Sequence, residues 1–272
     1  MFTKEKIMSP QHFSKDTPTY TIMPIYCGRF PTYEKSVLQM MIDPGVKVDS
    51  PSIAFLIRGN GKNIVVDTGP HPQALAEKLH PGHEFDFPED ATVVAALAKE
   101  GLTPDDIDYL IFTHLHWDHC CNGEMFPGKK FYVQKSEIMY ALDPLDIHGP
   151  VFESPKIGLT PPWAKIISQL KIVDGDVDID DGIKLILTPG HSPGGQCILL
   201  NTTDGPYLLA GDTVMQYENW EGRGPLKRLF SGAHVNLLDF EASLKKIEAL
   251  DAYILPSHDY KVLEGKLFPI KK

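Results

Sequence analysis

Residues 113–119, Thr-His-Leu-His-Trp-Asp-His, are the most informative segment of the chain for both structure and chemistry. Four potential metal ligands fall within six residues, directly after the apolar run 108–112, which predicts a buried strand. Imidazole and carboxylate groups are ligands that zinc accepts, at about 2.0–2.2 Å. In an extended segment His114 and His116 point to the same side, so both can reach one ion. We therefore expect a metal site where this strand ends.

Three more candidate ligands follow apolar strand runs later in the chain. They are His191 in Thr-Pro-Gly-His, Asp212 in Gly-Asp-Thr and His258 in Ser-His-Asp. Within the first motif, Asp118 and His119 follow as the backbone turns, which allows them to reach a second ion beside the first. Loops at strand ends carry reactive groups on a rigid scaffold. The repeated pattern indicates that one sheet edge delivers ligands several times.

The remaining sequence predicts one α/β domain with two sheets packed face to face and covered by helices. An Asn-Gly step at 60–61 predicts a hairpin, and helical patterns occupy 72–79, 90–99, 136–142, 162–170 and 240–250, the last with Asp239 as its N-cap. Residues 1–19 are predicted to be a polar N-terminal arm, and residues 20–272 a single domain.

The composition excludes several classes of protein. The 272 residues carry 36 acidic and 26 basic side chains, a net charge of −10, which argues against a nucleic-acid partner. No apolar run approaches the roughly 20 residues that span a bilayer, and the first residues lack the apolar core of a secretion signal. Two of the four cysteines are adjacent, which suits a reducing compartment better than a disulfide framework. A cytoplasmic location is the expectation.

Taken together, the motifs resemble those of the metallo-β-lactamase superfamily. His-Leu-His-Trp-Asp-His matches the HxHxDH signature, and the early aspartate of the family corresponds to Asp67 in Val-Val-Asp-Thr-Gly-Pro. The motifs around residues 191, 212 and 258 follow in the order of the superfamily, so the resemblance covers about 53–259. It implies the fold class α/β, with an αββα sandwich of two mixed β-sheets flanked by helices.

The resemblance also implies a dinuclear zinc centre, with iron, manganese or cobalt as other candidate metals. One zinc ion would be held by His114, His116 and His191, the second by Asp118, His119 and His258, with Asp212 bridging them. Asp67 would brace the metal loop. A hydroxide shared by two ions would attack a substrate carbonyl, and Asp118 or Asp212 would carry the proton to the leaving group.

Within the superfamily, the sequence is most similar to the N-acyl homoserine lactonases. This similarity implies that a small molecule with a carbonyl ester, most simply a lactone, is the substrate. The related lactonases are often dimers, so a homodimer is expected by resemblance. They usually carry a tyrosine three residues after the bridging aspartate. Here that position is Met215, and Tyr217, two residues later, is the candidate catalytic tyrosine.

Two alternative functions stay open, a thioester hydrolase resembling glyoxalase II and a metal-binding scaffold without catalysis. The C-terminal part lacks obvious cationic residues to hold glutathione, so we rank the thioester hydrolase below the lactonase. Candidate substrate-pocket residues are Phe30, Tyr33, Met40, Met41, Trp163 and Trp220. The histidines expected at the surface are His12, His71, His80, His83 and His148, whereas His234 is a candidate for the cleft.

Overall fold

Within residues 12–270, the part of the chain that this computed structural model describes, eleven strands form two mixed sheets. The first sheet has the spatial order β1 to β6: β1 (Tyr20–Glu34), β2 (Lys47–Gly59), β3 (Lys62–Val66), β4 (Tyr109–Ile111), β5 (Lys130–Gln134) and β6 (Leu170–Val173). The pairs β1–β2 and β2–β3 are antiparallel, and the pairs from β3 to β6 are parallel.

The second sheet has the spatial order β11-β10-β9-β8-β7. Its strands are β7 (Val177–Asp180), β8 (Ile183–Leu187), β9 (Gln196–Thr202), β10 (Gly205–Leu209) and β11 (Tyr253–Leu255). Only the β10–β11 pair is parallel among these described strands.

Helices cover the outer faces of the two sheets. The α-helices are α1 (Lys35–Leu38), α2 (Gln73–Leu79), α3 (Val93–Lys99), α4 (Trp117–Cys120), α5 (Lys135–Leu142), α6 (Tyr217–Glu221), α7 (Leu237–Glu248) and α8 (Tyr260–Glu264). Short 3-10 helices occupy Pro104–Asp106, Gly123–Met125, Asp146–His148, Pro155–Ile157, Pro162–Gln169 and Gly211–Val214. No helix within the described residues is long and apolar enough to cross a bilayer.

Three clusters of buried apolar residues hold the two sheets and their flanking helices together as layers. Ile22 and Ile64 of the first sheet pack in one buried cluster with Ile198 and Leu209 of the second. On the far side of the first sheet, α3 buries part of a second cluster, and on the far side of the second sheet α7 buries part of a third. The αββα sandwich expected from the sequence is confirmed. The cluster shared by both sheets supports the proposal that 20–272 is one domain.

Several local predictions can be compared with the backbone. Asn60 and Gly61 have φ of 50° and 69° and join β2 to β3, as the hairpin signal predicts. The helix predicted over 162–170 is a 3-10 helix over Pro162–Gln169, which is kinked because Ile166 leaves helical geometry. The N-cap of α7 is Asn236 rather than Asp239, since the Asn236 side chain accepts the N–H groups of Leu238 and Asp239.

The predicted N-terminal arm falls largely on residues 1–11, which lie outside the described residues. Residues 12–19 contain no helix or strand, yet they contact the domain. The His12 ring lies 2.7 Å from the carbonyl oxygen of Leu250, and Phe13 packs against the cluster under α7. This short segment is therefore held against the second sheet.

Candidate metal centre

The candidate ligands lie just beyond the carboxyl ends of four strands, β4, β8, β10 and β11. After β4 the chain contains no strand or helix until α4, whose N-cap His116 has extended φ and ψ of −67° and 147°. The helical turn that follows carries Asp118 and His119 to the same place. The other three strands deliver His191, Asp212 and His258. The strand β4 belongs to the first sheet and the other three strands to the second, so the expectation of a single sheet edge is wrong. The ends of strands from both sheets bring all seven candidate ligands together.

Asp67 braces this loop from the end of β3, the strand beside β4. One carboxylate oxygen accepts the backbone N–H of Thr113 at 2.8 Å, and the other accepts the Thr113 hydroxyl at 2.7 Å. The second oxygen also lies 2.8 Å from Nδ1 of His119. Asp67 has a left-handed φ of 60°, an uncommon conformation for a residue with a side chain, which this hydrogen-bond network maintains.

The first group of ligands consists of His114, His116 and His191. Nε2 of His191 lies 3.3 Å from Nε2 of His114 and 2.9 Å from Nδ1 of His116. The second group consists of Asp118, His119 and His258. Nε2 of His119 lies 3.3 Å from Nε2 of His258. Each group has the spacing of side chains that converge on one ion.

Asp212 stands between the two groups. Its Oδ2 lies 3.3 Å from Nε2 of His191, whereas its Oδ1 lies 3.2 Å from Nε2 of His119 and 3.2 Å from Nε2 of His258. The Ser257 hydroxyl donates to Oδ1 at 2.7 Å and fixes its direction. One carboxylate therefore presents one oxygen to each group, as a bridging ligand does.

The hydrogen bonds on the outer ring nitrogens show that the donor set suits cations. Nδ1 of His191 faces the Ala233 carbonyl at 2.7 Å, Nδ1 of His258 faces the Pro51 carbonyl at 2.8 Å, and Nδ1 of His119 faces Asp67. Each partner only accepts, so each Nδ1 carries a proton, and the neutral form of each ring directs an Nε2 lone pair inward. Converging lone pairs cannot hydrogen-bond one another, but they can share a metal ion.

The electrostatics of the site agree with this interpretation. Burial first, and neighbouring imidazoles second, hold the pKa of His114 and of His116 well below the usual value, so both rings are neutral at pH 7. Burial lowers the pKa of His119, but the carboxylates of Asp212 and Asp118 outweigh it and raise this pKa well above 6.5. The carboxylates around His119 therefore favour positive charge on this ring, and a divalent cation bound here would supply that charge in place of a ring proton.

A cavity of about 560 Å³ opens onto the two groups. His116, Asp118, His191, Asp212 and His258 form its polar floor. Its walls are mainly apolar and include Phe30, Tyr33, Phe85, Trp117, Val151 and Met215. His80, His83, His148 and His234 also line it, so His234 does reach the cleft.

The other residues predicted to line the substrate pocket lie elsewhere in the structure. Met40 is not among the cavity-lining residues, and Met41 is 80% exposed. Trp220 packs with the cluster under α7, where the Arg228 guanidinium lies 3.8 Å from its ring centroid. Trp163 is buried in the core beneath the first sheet. These four side chains do not line the cavity.

Tyr217 also lies away from the cavity, contrary to its predicted catalytic role. It is the first residue of α6, and its backbone N–H donates to Oδ2 of Asp259 at 2.9 Å. Its ring packs against the core shared by the two sheets, with the Lys261 ammonium 5.7 Å from the ring centroid. This orientation assigns Tyr217 to packing.

Glu137 connects the two ligand-bearing loops, although the sequence gives no sign of this role. Its side chain is fully buried, and one oxygen accepts the backbone N–H of Leu115 while the other accepts that of Gly194, both at 2.9 Å. Leu115 lies between His114 and His116. Glu137 therefore fixes the first motif relative to the loop after His191.

A second buried network, also missed from the sequence, supports the cavity wall. Glu153, which is 1% exposed, accepts from Nε2 of His71 and from Nε2 of His80, both at 2.9 Å. The His80 ring stacks on Trp117 with 4.1 Å between centroids and 16° between planes. The surface positions predicted for His71 and His80 are therefore wrong, because the buried carboxylate provides partners for both rings.

Comparisons with known proteins agree with the geometry. Residues 48–258 match the family model of the metallo-beta-lactamase superfamily. An N-acyl homoserine lactonase of Bacillus thuringiensis subsp. kurstaki is 30% identical over 225 residues, which cover 80% of this chain and 82% of that protein. A Bacillus sp. protein of the same name is 29% identical, with coverage of 87% and 92%.

Solved structures show the same relationship. An N-acyl homoserine lactone hydrolase, solved with the product N-hexanoyl-L-homoserine bound at its catalytic metal centre, superimposes with a TM-score of 0.73. The two chains are 26% identical, and the match covers 91% of this chain and 96% of that one. Together with the converging ligands, these similarities indicate a divalent-metal centre. The chain belongs to the metallo-β-lactamase superfamily, as its motifs predict.

Proposed function

We propose that this protein is a dinuclear zinc hydrolase that opens the ring ester of N-acyl homoserine lactones. The observation that carries the proposal is the placement of Asp212, whose two oxygens face the two ligand groups separately. The similarity to N-acyl homoserine lactonases over most of the chain adds the substrate class.

The seven ligands would hold the ions as two sites. One ion would be bound by His114, His116 and His191. The other ion would be bound by Asp118, His119 and His258, and Asp212 would bind both ions. A pair of divalent ions about 3.5–4 Å apart lowers the pKa of a shared water towards about 7 and polarises a carbonyl oxygen. The outer hydrogen bonds of the histidine rings would keep each donor nitrogen directed at its ion.

Asp118 is the residue best placed to move a proton. Its side chain is 16% exposed and lines the cavity, whereas Asp212 is nearly buried and both of its oxygens face imidazoles. Asp118 would accept a proton from the attacking water and deliver it to the ring oxygen of the lactone when the bond between that oxygen and the carbonyl carbon breaks. Asp212 would stay ionised as a ligand.

The walls of the cavity favour an N-acyl lactone over a glutathione thioester. Phe30, Phe85 and Trp117 offer apolar surface for an acyl chain and exclude water from it. No lysine or arginine lines this cavity among the described residues. The carboxylates of glutathione would therefore find no cation there.

The test is hydrolysis of N-hexanoyl-homoserine lactone, followed with a pH indicator because ring opening releases one proton at neutral pH. We expect turnover by the zinc-loaded protein, loss of turnover after chelation, and recovery with added zinc. Asp118→Asn should lose about 100-fold or more in kcat, whereas Asp178→Asn, at an exposed site on β7, should not change it.

The alternatives predict different results in the same assay. Cleavage of a glutathione thioester in the absence of lactone cleavage would favour the thioester hydrolase. Zinc binding that stabilises the protein, with no hydrolysis of lactones or thioesters, would favour a metal-binding scaffold. Either result would contradict the proposed lactonase activity.

A further inference from the structure

The cavity contains a tyrosine predicted to line it, Tyr33 near the end of β1. Given the proposed ester hydrolysis, on which this step rests, we infer that the Tyr33 hydroxyl donates a hydrogen bond to the carbonyl oxygen of the bound substrate. Tyr33 would then be a catalytic residue, and Tyr217 would not.

Tyr33 lies close to the candidate ligands. Its ring packs on Phe30 with 5.1 Å between centroids, and Phe30 meets the His258 ring edge-on at 6.4 Å. Asp118 and Asp212 line the same cavity as Tyr33. The phenol is thus separated from a ligand of the second group by a single aromatic ring.

The Tyr33 hydroxyl is available for a substrate. Among the described residues it has no hydrogen-bond partner, and the residue is partly open to the cavity. Four other polar side chains of the cavity have protein partners: Ser50 with the His258 carbonyl, His80 with Glu153, His148 with Tyr140, and His234 with the Ser231 carbonyl. A polar group left without a partner in a mainly apolar cavity is placed to bind a ligand.

The phenol is also in the protonation state that this role needs. Burial, followed by the negative charges of Asp118 and Asp212, raises the pKa of Tyr33 above its ordinary value of 10.0. The hydroxyl therefore keeps its proton at neutral pH and remains a donor. The direction of this effect agrees with the position of Tyr33 in the same cavity as both carboxylates.

The step needs no further reactant. When water adds to the lactone, a bond forms between the water oxygen and the carbonyl carbon, and the carbonyl π pair moves onto the carbonyl oxygen. Tyr33 stabilises that charge through its hydrogen bond and keeps its proton. The pair then returns as the ring C–O bond breaks, and the ring oxygen leaves with the proton taken from the water.

The experiment compares Tyr33→Phe with Tyr217→Phe, since both substitutions remove one hydroxyl and keep the ring. We expect Tyr33→Phe to lower kcat/KM for N-hexanoyl-homoserine lactone about 100-fold, with the zinc content and the melting temperature unchanged. Tyr217→Phe should stay within about twofold of the wild type. Calorimetry with the ring-opened product should show affinity about tenfold weaker for Tyr33→Phe only.

Other outcomes would overturn the inference in distinguishable ways. Equal kcat/KM for Tyr33→Phe and the active wild type would remove Tyr33 from catalysis and leave the proposed lactonase intact. A fall in rate matched by loss of zinc would assign Tyr33 to the support of the site rather than to the substrate. A wild type that cleaves no lactone would overturn both the proposed function and this inference.

Discussion

Glu137 on α5 accepts the backbone N–H of Leu115 at 2.9 Å, and this bond fixes the loop that carries His114 and His116. The other carboxylate oxygen accepts the N–H of Gly194 at the same distance, 2.9 Å. A buried carboxylate that satisfies two backbone donors connects the two halves of the first ligand group. Its removal should therefore affect both the stability of the fold and the binding of metal.

Glu137→Gln tests this connection. An amide can offer its single oxygen to only one of the two N–H groups, so the other donor is left facing an NH₂ group. We expect the free energy of unfolding to fall by about 2–3 kcal/mol and zinc affinity to fall about tenfold or more. Chemical denaturation and a competition titration with a chelator measure the two effects. The matched control is Glu84→Gln at an exposed position, and a Glu137 variant that behaves like this control would refute the connection.

Asp67→Asn tests the brace of the second ligand group. The asparagine keeps the shape of the side chain but replaces one carboxylate oxygen by an NH₂ group. This group faces donors in either orientation of the amide: the Thr113 hydroxyl and Nδ1 of His119 in the first, the Thr113 N–H in the second. In the first orientation Nδ1 of His119 loses its acceptor and in the second the Thr113 N–H does, so in either case the loop or the ring is less well oriented. We expect zinc affinity to fall about 10–100-fold, with the loss confined to one of two ions. Undiminished affinity for both ions, measured by the same titration, would show that Asp67 does not orient the ligand.

Gly190→Ala tests the close approach beside His191. Gly190 has a φ of 144°, and an added Cβ would lie 2.4 Å from Cα of Phe240 on α7. Backbone cannot move aside easily, so we expect a loss of about 3 kcal/mol in the free energy of unfolding. Gly45→Ala is the control, because Gly45 also has a positive φ, 84°, but no atom within 4 Å of the added Cβ. Equal destabilisation of the two variants would mean that strain in φ, rather than the contact with α7, dominates.

The ionisation of Glu153 should make the free energy of unfolding depend on pH in the acid range. Burial raises its pKa, but the hydrogen bonds from His71 and His80 outweigh burial, and the net pKa lies below the ordinary 4.5. Because the folded pKa is lower than the unfolded one, ionised Glu153 stabilises the fold above about pH 4.5, and this contribution is lost as the pH falls through the folded value. The stability difference between the wild type and Glu153→Gln should therefore narrow below pH 4.5. Denaturation curves at several pH values measure it, and a constant difference down to pH 3 would contradict the assigned shift.

The ligands could be predicted from the sequence because each one combines a suitable residue type with a position directly after a strand. The orientation of Tyr217 could not, because its distance along the chain from Asp212 does not determine which way the first turn of α6 faces. That direction depends on Asp259, which lies 42 residues away from Tyr217.

Long-range partners also explain the two networks that the sequence did not reveal. Glu137 is separated from Leu115 by 22 residues, and Glu153 from His71 by 82. A single glutamate among others carries no local pattern that identifies such a partner. The fold itself, by contrast, follows from the hydrophobic runs and the hairpin signal.

The number of zinc ions bound per chain tests whether the seven ligands form a two-metal site bridged by Asp212. Apo-protein titrated with zinc, and analysed for metal after removal of the excess, should hold two ions per wild-type chain. Asp212→Ala should hold fewer, because it lacks the carboxylate that faces both groups. A wild-type chain that binds no zinc, or that binds two ions equally well with and without Asp212, would contradict the account.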